Sequence, residues 1–168
     1  MIVHARRRVK GFTLIEILIV IVIISIVSGV ALVTLSSNKT KQLENLAKQL
    51  THLITLAESE AMLQPCTLGL AFYHHSFQFF NYKPHEKNPW QAIVTGSLGL
   101  HNIPEHVQLT LRVNDEGKAL DGKPYIFISE SGDITAFTIT IASIGHKPAY
   151  VVRGDASGNV QTEIYHEK

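Results

Sequence analysis

The sequence predicts an α+β protein. A long N-terminal helix, transmembrane in its first half and amphipathic in its second, packs on an antiparallel β domain of two small sheets. Three observations carry this expectation. Residues 17–38 contain no charged side chain. Between 43 and 61, apolar residues recur at helical spacing. From Thr67 onward the period becomes two, and clusters of turn residues separate the apolar runs. Helical and strand faces repeat with those two periods, and a series of short strands after one helix indicates an α+β domain.

The chain opens with a basic segment, 1–11, that holds Arg6, Arg7, Arg8 and Lys10 and no acid. The apolar run that follows is long enough for a bilayer, which a helix of about 20 apolar residues spans. Basic residues stay on the cytoplasmic side, so the N-terminus is expected inside and the remainder across the membrane. An ordinary secretory signal would have a shorter apolar core ending at a small-residue site. Here the far end, Leu32-Val33-Thr34-Leu35-Ser36-Ser37, offers no such pattern. A plain single-pass anchor fits the run equally well, but gives no reason for Gly11 or for Glu16 at the mouth of the apolar stretch. An acid in that position is costly and marks function.

No proline interrupts 12–64, and Gly29 is tolerated within a membrane helix. Beyond Asn38 the helix becomes amphipathic. Leu43, Leu46, Ala47, Leu50, Ile54, Ala57 and Ala61 form a stripe, with Lys41, Glu44, Lys48 and Glu58 between them. This stripe reads as core. About 50 helical residues would extend about 75 Å.

Leu68, Leu70 and Phe72, then Phe77 and Phe79 beyond His74-His75-Ser76, predict a hairpin. Further strands are expected over 107–113, 124–129, 134–141, 150–153 and 160–164. The turn signals between them are Asp115-Glu116-Gly117, Asp121-Gly122, Ser131-Gly132-Asp133 and Asp155-Ala156-Ser157-Gly158. The stretch 83–99, with two prolines and little periodicity, reads as a long loop. Trp90 within it suits either packing on the core or contact with a partner.

With 168 residues, less the leader and membrane helix, the chain holds one modest soluble domain. The net charge of +1 gives no sign of a general nucleic-acid binder. A single cysteine, Cys66, cannot close an intramolecular disulfide, so the domain relies on packing. Nine histidines raise the question of metal. His74 and His75 are adjacent and point to opposite faces of a strand. His85, His101 and His106 have no partner at ligand spacing, and all are read as solvated surface residues. The acidic turns do not form an EF-hand-type loop. No nucleophilic, acid–base or phosphate-binding motif stands out. No enzyme activity, catalytic residue, metal or cofactor is expected.

The junction Lys10-Gly11-Phe12-Thr13-Leu14-Ile15-Glu16 resembles that of the type IV pilin and pseudopilin superfamily. The resemblance implies cleavage after Gly11 by a prepilin peptidase, N-methylation of Phe12, and a docking role for Glu16. In that family the Glu is thought to pair with the terminal amine of an adjacent subunit. A carboxylate snorkelling at the membrane surface is the alternative. The expected domains are a removed leader over 1–11, a transmembrane half-helix over 12–38, a periplasmic amphipathic half over 39–64, and a periplasmic β domain over 65–168.

The remainder is similar to the GspH/FimT group, and within it to the type II secretion branch. The likeness runs through Leu56-Ala57-Glu58-Ser59-Glu60-Ala61-Met62 and 67–72 with Phe77-Gln78-Phe79. It continues through Trp90, 103–109, 127–133 and Phe137-Thr138-Ile139. The DNA-binding FimT-like pilins end with Gly-Arg-x-Arg, whose guanidinium groups suit phosphates. Here the stretch is Gly158-Asn159-Val160-Gln161, then Glu163. The resemblance therefore implies a minor pseudopilin of a type II secretion system, anchored in the bacterial inner membrane. Its partners would be the major pseudopilin, other minor pseudopilins, the prepilin peptidase and an inner-membrane assembly platform, with no nucleic acid among them. A minor pilin of a DNA-uptake or pilus system is the second reading.

Overall fold

A computed structural model describes residues 13–166; the side chains of 27–37 are not among those described. The chain divides into two compact units at Asn38 and Lys39. One helix, α1 (Leu14–Leu63), supplies residues to both. In the first unit the described part of α1 is bare, from Leu14 at 84% exposed to Val20 at 45%.

In the second unit α1 buries Leu43, Leu46, Ala47, Leu50, Leu53, Ile54, Ala57 and Ala61. Steps of three and four residues keep these on one face of the helix. Ala47, Ala57 and Ala61 are fully buried, and Leu50 and Ile54, buried as completely, supply about 1.5–3 kcal/mol each on leaving water.

Ten strands follow: β1 (Leu68–Phe72), β2 (Ser76–Tyr82), β3 (Trp90–Ala92), β4 (His101–Asn102), β5 (Val107–Val113), β6 (Glu116–Lys118), β7 (Pro124–Ile128), β8 (Phe137–Ser143), β9 (Pro148–Gly154) and β10 (Val160–Ile164). They form two five-stranded sheets. The first has the order β3-β2-β1-β7, with β4 also on β2, and the second runs β10-β9-β8-β5-β6. Every strand pair is antiparallel. The inward positions of both sheets and the helical stripe make one continuous core. β5 shows the pattern most plainly: Val107, Leu109, Leu111 and Val113 are buried, and Gln108, Thr110 and Arg112 are exposed.

The expected architecture of one long helix and two antiparallel sheets is the one observed. Strands predicted over 124–129 and 150–153 run over Pro124–Ile128 and Pro148–Gly154, and larger differences occur in four places. The stretch 83–99 is not all loop, because Trp90–Ala92 pairs with β2 in the register Tyr82↔Trp90 and Phe80↔Ala92. The turn read at Asp115-Glu116-Gly117 lies one residue earlier. Asn114 and Asp115 take φ of 49° and 63°, and Val113 pairs with Glu116 across them. That is a two-residue hairpin loop, the kind whose twist matches paired strands, so the strand resumes at Glu116. β8 begins at Phe137 rather than Ile134, since Ile134 makes only an isolated bridge to Ile128. β4 completes the first sheet where no strand is predicted.

Trp90 is half-buried on the outer face of the first sheet. Its ring stacks on Phe127 at 5.4 Å and tilts against Tyr82 at 4.9 Å. Beneath it lies Gly69, where an added Cβ would come within 2.6 Å of Trp90 Cζ3 and 2.8 Å of Pro124 Cβ. Only a residue without a side chain lets the indole lie against β1. Gly69→Val is therefore expected to lift the ring and cost about 1–3 kcal/mol through overpacking. Trp90 is the sole tryptophan, so a red-shifted emission together with a lower melting temperature reads the effect directly.

Candidate functional site

The sequence concentrates its functional signals at the start of the chain. Arg6, Arg7, Arg8, Lys10, Gly11 and Phe12 lie outside the described residues. At Thr13, the first described residue, the geometry is that of a helix cap. The Glu16 amide donates to Thr13 Oγ1 at 3.3 Å and to the Thr13 carbonyl at 3.1 Å, and the Ile17 amide donates to the same carbonyl at 3.3 Å. Helix ends leave their first amides without intrahelical partners. A Thr followed three residues later by Glu is the sequence pattern that satisfies them. Glu16 also places a negative charge in the first turn, where the helix dipole favours it.

Beyond the cap, the exposed surface of α1 is uniformly apolar as far as Ile26, apart from Ser25. Ser25 turns its hydroxyl inward, donating to the Ile21 carbonyl at 2.8 Å, so even this polar group is satisfied within the helix. An apolar surface continuous around a helix has to be covered by lipid or by other helices. Among the described residues no helix is long and apolar enough to cross a membrane. The uncharged run of the sequence continues through 27–37, whose side chains are not described.

None of the sequence-predicted site residues belongs to the second unit, which begins at Lys39. Among its described residues, no group of three or more His, Cys, Asp or Glu could hold a metal ion. Two histidines depart from the expectation of solvated surface groups. His101 lies flat on Phe77 with ring centroids 5.0 Å apart. Its Nε2 sits 2.8 Å from the Ser97 carbonyl and its Nδ1 3.2 Å from Gln49 Nε2 on α1. It is thus a bracket between helix and sheet. His106 buries its Nε2 without a hydrogen-bond partner. Neither arrangement is visible in the sequence, because both depend on residues distant along the chain. Cys66 is partly buried, and that burial, aided by Glu60 and Glu130, raises its thiol above the ordinary value. The protonated thiol is a poor nucleophile.

The described strand β10, Val160–Ile164, carries no basic side chain. Arg153 is drawn instead toward Glu163, with Nε to Oε2 at 3.5 Å. At the preceding turn, Gly158 has φ of 86° and lies against the Gly132 carbonyl and the Glu58 carboxylate, leaving no room for a side chain.

Residues 6–32 match the family description of a prokaryotic N-terminal methylation motif. Over 152 residues the chain is 28% identical to type II secretion system protein H of Pseudomonas aeruginosa, covering 83% of this chain and 86% of that one. It is 22% identical over 174 residues to the protein of the same description from Aeromonas hydrophila, covering 93% and 94%. The structure is similar to that of the minor pseudopilin EpsH from the type 2 secretion system of Vibrio cholerae. The TM-score is 0.65 at 18% identity, over 76% of this chain and 99% of that one.

Proposed function

We infer that this chain, a GspH-like pilin, is a minor pseudopilin of a type II secretion system and a membrane-anchored component of its pseudopilus. The observation that carries the reading is a likeness to type II secretion system protein H extending through most of both chains, joined to an N-terminal methylation motif and a pilin-like fold. Its work is assembly and contact with other pseudopilins, and the reading assigns it no catalytic step.

The finer steps follow from the chemistry of the N-terminus. A prepilin peptidase cuts after Gly11, a residue whose lack of a side chain suits an extended backbone in a membrane active site. Cleavage removes Arg6, Arg7, Arg8 and Lys10. Each such charge costs about 2.5–3.5 kcal/mol at mid-membrane, so their loss frees the helix to move outward from the bilayer. The new terminus, a methylated Phe12, is met in the assembled filament by Glu16 of an adjacent subunit. In this reading the N-terminus begins on the cytoplasmic side of the inner membrane and the second unit stands in the periplasm. The major pseudopilin, other minor pseudopilins and the assembly platform are its neighbours, and the energy for pushing folded exoproteins outward comes from a cytoplasmic ATPase.

An in-frame deletion of the gene is expected to abolish exoprotein secretion while leaving DNA uptake and pilus function intact. Secretion and transformation scored in parallel check it. Loss of transformation with secretion preserved would replace this reading by the DNA-uptake pilin. Intact mass of the membrane-extracted protein tests the processing step separately. It should show loss of 1–11 and gain of one methyl group.

A further inference from the structure

The outer face of the second sheet carries a feature outside the assembly surface of α1. Arg112 pairs in register with Thr138, and Thr138 pairs with Arg153. Registered residues of neighbouring strands share a face, so one row across the sheet reads Arg112, Thr138, Arg153. With strands about 4.8 Å apart, the two arginines stand about 10 Å from each other with a hydroxyl between them. Thr110 and Thr140 form the adjacent pair.

Two concavities lie along this face and share Thr138 and Arg153. The first, about 380 Å³, adds Thr110, Arg112, Thr140 and Tyr165, and no carboxylate lines it. The second, about 330 Å³, is lined instead by Asn114, Asp115, Asp155 and Glu163. The groove thus changes sign along its length. At the acidic end, the Ser157 hydroxyl and the Ser157 and Asn159 amides all donate to Asp155 Oδ1 at 2.6–3.2 Å. These bonds, the Ser157 hydroxyl first, hold its carboxyl below the usual range and charged at neutral pH.

Existing partners leave both guanidinium groups capacity. Arg112 Nη2 donates to the Asp115 carbonyl at 2.6 Å. Arg153 meets Glu163 at 3.5 Å in a pair whose side chains are 61% and 53% exposed. A guanidinium has five donors, and an exposed pair of this kind exchanges readily.

We propose that this groove docks an extended protein segment of alternating charge, its carboxylate held between Arg112 and Arg153 above Thr138 and its basic side chain lying toward Asp115 and Asp155. Two guanidinium groups on one carboxylate form charge-assisted bonds with defined geometry. Charge complementarity selects this occupant. A polyanion such as a nucleic-acid strand would satisfy the arginines and then run onto Asp115, Asp155 and Glu163. The assignment does not depend on which secretion or pilus machine the chain serves.

The test uses the full chain in detergent micelles and a fluorescein-labelled synthetic peptide of repeating Thr-Glu-Thr-Lys, followed by fluorescence anisotropy. Saturable binding is expected, weakening as salt rises. The double variant Arg112→Gln/Arg153→Gln should bind about tenfold or more weakly, with its melting curve unchanged because both side chains are exposed. Three results would overturn the proposal. These are absence of saturable binding, binding that survives the double substitution, and tighter binding of a single-stranded oligodeoxynucleotide, which would assign the face to phosphates.

Discussion

Phe77→Ala is expected to cost the second unit about 3–5 kcal/mol. Phe77 is fully buried, tilts against Phe72 with centroids 5.9 Å apart, and is covered by the His101 ring. Removing it deletes the transfer free energy of a whole ring and leaves a cavity that its neighbours cannot fill. It also strips His101 of its stacking surface, and His101 is the residue that bridges Gln49 on α1 to the Ser97 carbonyl. Domains of this size are stable by about 5–15 kcal/mol in all, so the loss is a large share. Melting of the detergent-solubilised chain should fall by roughly 10–20 °C. Ile144→Ala, at a side chain 59% exposed, should shift stability by less than about 0.5 kcal/mol. A Phe77→Ala melt within a few degrees of the parent would mean that helix and sheets do not share one core.

Glu16→Ala should leave cleavage and helix formation intact and reduce filament incorporation to near background. The cap explains why these effects separate. Thr13 Oγ1 accepts from the backbone amide of residue 16, which alanine retains. What alanine removes is the carboxylate. Opposite charges about 4 Å apart gain about 4 kcal/mol at an effective dielectric of 20, before desolvation. A loss of even half of that would weaken docking by more than tenfold. Crosslinking of assembled subunits reads incorporation, and intact mass confirms processing of the same sample. Glu16→Asp should recover part of the function, since the charge remains and only reach is lost. Normal incorporation of Glu16→Ala would remove the docking role and leave the acid as a helix-dipole partner.

Much of the fold was legible where several residues repeat one period. The stripe from Leu43 to Ala61 and the alternation through β5 each carry enough positions to declare a face. β3 and β4 were not legible, because two or three residues cannot establish a period and β3 follows two prolines. β6 was hidden for a different reason. Its Glu116, Gly117 and Lys118 are polar, and the turn before it needs left-handed backbone at Asn114 and Asp115, which composition alone does not place. The N-terminal methylation motif is local and could be read without any structure. The row of Arg112 and Arg153 is the opposite case. Its members sit on β5 and β9 and become neighbours only through the register each makes with β8.

The last strand is fastened to the helix. Thr162 Oγ1 on β10 meets Thr51 Oγ1 on α1 at 2.7 Å across a separation of 111 residues. During synthesis, the buried stripe of α1 therefore emerges long before the strand that helps to close over it. At about 5–20 residues per second, that interval is roughly 6–22 s. For that time a nascent chain presents an uncovered apolar helix and unpaired strand edges. The ribosome-bound intermediate is thus the stage most exposed to aggregation, and a chain ending before β10 would keep one of its liabilities, an unpaired β9 edge.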